Sequence, residues 1–408
     1  MSTELSLDEF IEFLARELTE SEVKPSSTYW SAIRTSRLDP ETDFYRDTLC
    51  ESSGSSSKST RPNGRNEQSK DHGTTGLLNL GNTCYMNAVI QCLSNTVPLV
   101  EYVLSCNFET SENRDKGQVT VTFADLLTKM RFEEKQFVSP EAFLNAFGYI
   151  HPPFRRRDQQ DAHEFLIYTL DSLHEELVTM GKASRRRALV AQGSSSNCTD
   201  GNLAESSIIT RLLQGVLRHE IVCLKCGSTR EKKEVFTVLS LPISSGNQPS
   251  IQECLQSYFE QVTLTWTEKM FCSFCKRKQD TAKEVCIIKP PRIIIFHFKR
   301  FEYQRNIKRK LRANITFPLK NLDLSPFFSP SEENHPQYNL YAVVNHYGDV
   351  EYGHYTAYCK NTATKQWHAY DDMKCSEIAE AAVQTSSAYI LFYTNQAFGL
   401  TKTFTSSS

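Results

Sequence analysis

The hydrophobic positions change their period part-way along the chain. In the first half they recur at helical spacing. Met86, Val89, Ile90 and Leu93 fall on one face, and Pro98 ends that pattern. Phe165, Leu166, Leu170, Leu173 and Leu177 make a second face within "DAHEFLIYTLDSLHEEL". From about Phe236 onward the apolar residues run in short blocks rich in β-branched and aromatic side chains: "EVFTVLSLPI", "RIIIFHFKRF", "YNLYAVVNHY", "HYTAYCK", "KQWHAYDD" and "AYILFYT". Helices followed by antiparallel-type strands predict an α+β fold.

Four stretches depart from this patterning. Ser6 caps a short amphipathic helix, with Glu9 three residues on and Phe10, Ile11, Leu14 and Leu18 on one face. Residues 1–50 therefore read as a semi-ordered extension, and residues 51–75, rich in Ser, Gly, Asn and charge, as a flexible linker. The run 182–205 reads as a surface loop inside the main domain, which spans 76–395, and 396–408 as a loose tail.

The bulk numbers remove several function classes. The 408 residues are enough for a sizeable core, and a net charge of -2 provides no global field for nucleic acid or anionic membrane. No apolar run approaches the roughly 20 residues that span a bilayer. The N-terminal "MSTELSLDEFIEFL" is acidic where a secretory signal would be basic. A cytosolic or nuclear, monomeric protein is expected, in which the 13 cysteines stay reduced and serve metal binding, catalysis or packing.

Cys84 is the first candidate for chemistry. Gly81, Asn82 and Thr83 favour a turn and a helix cap, which places Cys84 in the first helical turn. The positive end of the macrodipole there stabilises a thiolate. Free N–H groups of that turn, with the amide of Asn79 or Asn82, are candidate donors to an oxyanion. The alternative is a small core residue at a helix start. A nucleophile needs a base, and "NHYGDVEYGHYTAYCKN" at 345–361 supplies His354 at a strand start after Gly353, with His346 as a rival in mid-strand. The next strand ends in Asp371 and Asp372, either of which suits an orienting carboxylate, and a hairpin would bring them beside His354.

"CLKC" gives Cys223 and Cys226; "CSFC" gives Cys272 and Cys275. Two C-x-x-C knuckles in a reducing compartment predict one closed, structural Zn²⁺ site that joins two hairpins. A basic run, "NIKRKLR" at 306–312, is the one feature that favours a nucleic-acid module; it also reads as a solvated loop face.

These motifs, in this order, resemble the ubiquitin-specific proteases. "GLLNLGNTCYMNAVIQCL" is similar to their cysteine box, and "YGHYTAYCKN" with "WHAYDD" to their histidine box; "QQDAHEFL", the paired knuckles and "FHFKRF" also fit. Three stretches, "VCLKC", "EVFTVLSLPI" and "VVNHYGD", look most like one short member of that family. The resemblance implies a papain-like hand: a helical thumb at about 76–205, then β-rich fingers and palm at about 206–395, with zinc bracing the fingers. It implies a deubiquitinase whose partners are ubiquitin and ubiquitinated proteins, with Cys84 as nucleophile, His354 as base, Asp371 as orienting acid and Asn79 at the oxyanion. Asp161, with Gln160 and Gly353, would contact the ubiquitin tail, although capping of the following helix, with Glu164 as partner, also accounts for Asp161. The alternative is a ubiquitin-binding scaffold of the same fold with little turnover. Two departures stand out: Tyr352 where many members have the first of two glycines, and Ala88 where serine is common.

Overall fold

A computed structural model describes residues 74–106, 118–191 and 206–395, with short breaks at 245, 247, 266–268, 305–306, 331–334 and 351. The helix expected after Ser6, the linker up to residue 73 and the tail lie outside the described residues.

The helical part comes first. After the short strand β1 (Gly76–Leu77) come α1 (Cys84–Ser94), α2 (Val97–Ser105) and α3 (Gln118–Phe132). Strand β2 (Phe137–Val138) pairs in parallel with β1 and leads to α4 (Glu141–Ile150), α5 (Ala162–Ala191) and α6 (Ile208–Leu213). Pro98 sits in the first turn of α2, where its missing N–H costs nothing, so it starts one helix rather than only ending another. Every residue of α1 is buried, which makes it the central helix of this layer. The expected loop at 182–205 is corrected in part. Helix α5 continues to Ala191, because "KASRRRALVA" is a run of good helix formers without proline. Lacking an apolar face, that stretch shows no period to read.

Strands then dominate. β3 (Gly215–Cys223), β4 (Thr229–Phe236) and β5 (Val238–Leu241) precede α7 (Ile251–Phe259), and β6 (Val262–Leu264), β7 (Met270–Cys272), β8 (Arg277–Gln279) and β9 (Thr281–Lys289) follow it. The chain continues with β10 (Ile293–Phe298), β11 (Phe301–Gln304), β12 (Ile307–Lys310), β13 (Asn339–Gly348), β14 (Gly353–Lys360), β15 (Trp367–Asp371), β16 (Lys374–Ile378) and β17 (Ala388–Thr394). A seven-stranded sheet runs in the order β16-β15-β14-β13-β17-β10-β5, antiparallel except for the β10–β5 pair. A separate four-stranded sheet, β4-β3-β9-β6, carries the first cysteine knuckle at its end.

The large sheet is buried on both faces. Ile293, Ile295, Ile390 and Phe392 pack toward the helical layer, with α1 lying on β14. Ile294, Phe296, Phe298, Leu391 and Tyr393 pack on the other side, against α7 and the segment around Leu322–Phe328. Two buried faces explain why "IIIFHF" and "AYILFYT" read as continuous apolar runs rather than alternating ones. The α+β expectation is borne out. Among the described residues no helix is long and apolar enough to cross a membrane.

Candidate active site

Helix α1 begins at Cys84 itself, and the capping position Thr83 makes no side-chain bond to the helix. Thr83 instead accepts from the Leu80 N–H at 2.9 Å and donates to Asn79 Oδ1 at 3.3 Å. The first N–H groups of α1 are thus left without a side-chain cap, beside the sulfur. Cys84 is 5% exposed.

The β14–β15 hairpin brings the histidine and the carboxylates to the same place. His354 is the second residue of β14, Asp371 closes β15, and Asp371 Oδ1 lies 2.6 Å from His354 Nε2. That leaves Nδ1 for Cys84. The hydrogen bond with Cys84 is the largest cause that raises His354 to about 9, with Asp371 adding to it against the opposing effect of burial. The imidazole is therefore held as a cation beside the sulfur. His346, the rival base, is buried in β13 among Phe301, Tyr355 and Tyr389. Burial, then Lys310 and Arg300, push it down to about 3, so it stays neutral and is too weak a base.

The two aspartates divide the work. Asp372 accepts from Asn79 Nδ2 and from Asn87 Nδ2, both at 2.8 Å, and its carbonyl accepts from the Leu77 N–H at 2.8 Å. It ties β1 and the Asn79 amide to the end of the hairpin. Asn79 Oδ1 also accepts from the N–H groups of Gly81 and Thr83, so the amide orientation is fixed and one N–H remains to give. Asn82 adopts φ 54° and turns its amide toward the Arg157 carbonyl, to which Nδ2 donates at 3.1 Å. Replacing Asp372 by alanine leaves two amides without their charged acceptor. It is expected to lower stability by about 3 kcal/mol in urea unfolding, on the basis of about 1.5–3 kcal/mol per bond to a charged group.

Asp161 caps α5, with Oδ1 accepting from the His163 N–H at 2.7 Å. Its other oxygen accepts from the Tyr389 hydroxyl at 2.7 Å, so Tyr389 is its second partner where Glu164 was expected. Gln160 donates to the Pro153 carbonyl at 3.2 Å. Its neighbour Gln159, which sequence reasoning passed over, is the residue that reaches the hairpin and accepts from the Gly353 N–H at 3.1 Å. The doubled glutamine of "QQDAHEF" was the only signal for it. Gly353 admits no side chain, since a Cβ there would lie 2.0 Å from His346 Nε2. Tyr352, at 80% exposed, projects from the turn before it.

The four knuckle cysteines converge. Cys223 ends β3 and Cys272 ends β7, so the cluster joins the β3–β4 and β7–β8 hairpins as expected. The four sulfurs lie within 4.8 Å of one another, and Cys226 and Cys272 are 3.6 Å apart. A tetrahedron with metal–sulfur bonds of about 2.3 Å has an edge of about 3.8 Å, so the set fits Zn²⁺. Ser228, hydrogen-bonded to both Cys226 and Cys272, lowers Cys272 to about 6, while the bond to Cys226 raises Cys275 to about 12. The "NIKRKLR" run is not a loop face: it contributes β12, and Lys310 and Arg312 are engaged within the protein.

A family profile described as ubiquitin carboxyl-terminal hydrolase matches residues 75–393. The chain belongs to this family. Ubiquitin carboxyl-terminal hydrolase 2 of Homo sapiens is 35% identical over 357 residues, covering 83% of this chain and 58% of that protein. Ubiquitin carboxyl-terminal hydrolase 21 of Homo sapiens is 34% identical over 349 residues, covering 79% of this chain and 61% of that protein. The chain thus spans about three-fifths of the length of these curated relatives. The likeness to one short member, ubiquitin carboxyl-terminal hydrolase 50, is corrected to a likeness to hydrolases 2 and 21. Among solved structures, the SAGA Ubp8/Sgf11/Sus1/Sgf73 DUB module bound to ubiquitin aldehyde superposes with a TM-score of 0.67 at 26% identity. That match covers 80% of this chain and 70% of that one. The fold is the catalytic-domain fold of this hydrolase family.

Proposed function

We propose that the chain is a cysteine-dependent deubiquitinase that cuts the isopeptide or peptide bond after the C-terminal glycine of ubiquitin. The observation that carries this reading is the Cys84–His354–Asp371 relay at the start of α1, assembled in a chain that belongs to the hydrolase family. Cys84 attacks the glycine carbonyl as thiolate. The N–H groups at the start of α1 and the Asn79 amide receive the oxyanion, and the His354 imidazolium protonates the leaving amine. Water then attacks the thioester with neutral His354 as base, which regenerates the pair. Asp371 holds the imidazole in register throughout. Asp161 and Gly353 flank the path of the ubiquitin tail, and Cys223, Cys226, Cys272 and Cys275 hold Zn²⁺, which braces the two hairpins and takes no part in the reaction.

Turnover of a fluorogenic ubiquitin C-terminal amide tests the proposal. Because His354 is raised to about 9, its proton is retained through neutral pH and lost as pH rises through that value. Turnover is expected to persist to about pH 9 and then fall. In Asp371→Ala the alkaline limb should move to lower pH, since one of the causes that raise His354 is gone. An alkaline limb unmoved by that substitution would count against the relay.

A second reading, ubiquitin binding with little turnover, draws on the burial of Cys84 at 5% exposure and on Tyr352, which projects two positions before His354. Ubiquitin carrying a C-terminal electrophile separates the two: labelling at Cys84 supports the enzyme, and tight binding without labelling supports the scaffold.

A further inference from the structure

The turn that precedes His354 is strapped from outside its own hairpin. Lys310, the last residue of β12, donates from Nζ to the His346 carbonyl at 2.8 Å and to the Gly348 carbonyl at 2.9 Å. These two carbonyls flank Tyr347, the residue that pairs directly across from His354 in the β13–β14 ladder. Two residues further on, Arg312 pairs with Asp349 at 2.7 Å. Inside the turn the Asp349 N–H donates to the Tyr352 carbonyl at 3.0 Å. Gly348, at φ 81°, lets the chain reverse there, since a Cβ would lie 2.3 Å from the Tyr352 oxygen.

Lys310 does not behave as a surface lysine. It is half-buried, and burial, then Arg300 and Arg312, lower it to about 8, with Asp349 opposing them. Arg300, Arg312 and Asp349, with His346 beneath the turn, are the charged and titratable groups around it. A lysine with no structural task would extend its ammonium into water and escape both costs. This one stays because two carbonyls hold it.

We propose that Lys310 is a positioning residue for the catalytic imidazole: by clamping the His346 and Gly348 carbonyls it keeps the β13–β14 turn closed and His354 within reach of both Cys84 and Asp371. The inference rests on the Cys84–His354 pair of the proposed hydrolase, and it accounts for the part of the basic run that the hydrolase reading left without a role.

The test reads the pair without ubiquitin. Alkylation of Cys84 by iodoacetamide at pH 6 is followed by peptide mass spectrometry on the full chain. Lys310→Met keeps the stem and removes the donors; the Cys84 rate is expected to fall at least about tenfold, given the sensitivity of reacting groups to displacements of about 1 Å. Lys310→Arg, which retains the donors, should keep most of the wild-type rate. Lys310→Gln, left with a shorter neutral donor, should fall between the two and serves if the methionine variant does not fold. A purely structural role would lower the melting temperature of Lys310→Met or Lys310→Gln and leave the Cys84 rate of the folded protein unchanged, and that result overturns the proposal. So would a wild-type rate no faster than that of an ordinary thiol. A wild type that alkylates quickly but leaves ubiquitin amides intact would sink the hydrolase reading alone, with the role of Lys310 still measurable.

Discussion

Replacing Cys84 by alanine is expected to abolish ubiquitin release while leaving ubiquitin binding nearly intact. The loss should be on the order of 10⁴-fold or more in turnover, because removing a nucleophile leaves only binding and oxyanion stabilisation. Binding should persist because the side chain is 5% exposed and offers almost no surface to a partner. The fold should tolerate the change, since alanine is a good helix former at the first position of α1 and the deleted group is a single sulfur. A fluorogenic assay for turnover and a titration with unmodified ubiquitin measure the two halves. Hydrolysis retained in Cys84→Ala would falsify the assignment of the nucleophile.

The second large effect is expected at the knuckles. Cys223→Ser or Cys272→Ser should remove bound zinc and lower stability by about 2–5 kcal/mol, the scale of losing a structural cross-link. The reason is topological. The β7–β8 hairpin is a two-stranded sheet of three residues a side, too small to be stable alone. Besides the sulfurs, the Leu224 N–H donates to the Asp280 carbonyl at 3.0 Å across the same junction. That bond continues the β3–β9 ladder past the Cys223–Thr281 pair, at the Asp280 end of the hairpin. Elemental analysis and denaturant unfolding provide the readouts. Cys286→Ser, on β9 but outside the cluster, is the control that should keep its metal. Unchanged metal stoichiometry in Cys223→Ser would remove the clasp from the account.

Much of the catalytic arrangement was legible because its parts are local. A cysteine after a turn-forming triplet marks a helix start. A histidine after a glycine, followed one strand later by paired aspartates, marks a hairpin whose closure brings them together. The Cys-x-x-Cys pairs carry their own spacing. What the spacing left open was the division of labour, which the resemblance alone assigned by making Asp371 the orienting acid. Nothing near Asp371 and Asp372 says which one takes the imidazole, since neighbours on a strand end face different partners. That depends on β1, some 290 positions away, where Asn79 meets Asp372. Gln159 and Lys310 were missed for the same reason: one sits in a helix-leading loop and the other in a basic run, and each acquires its task from a turn it approaches from elsewhere in the chain.

The sequence by itself determined the order of helices and strands and the identity of the cysteine, histidine and thiolate clusters, because periodicity, capping and short spacings are properties of neighbouring residues. Only the tertiary structure decided which amide faces the aspartate, that His346 is buried and neutral, that β5 joins β10 in parallel, and that a basic stretch belongs to the active-site turn. Those outcomes depend on burial and on contacts between residues distant in the chain, and both come into being only when the helical layer closes over the sheet.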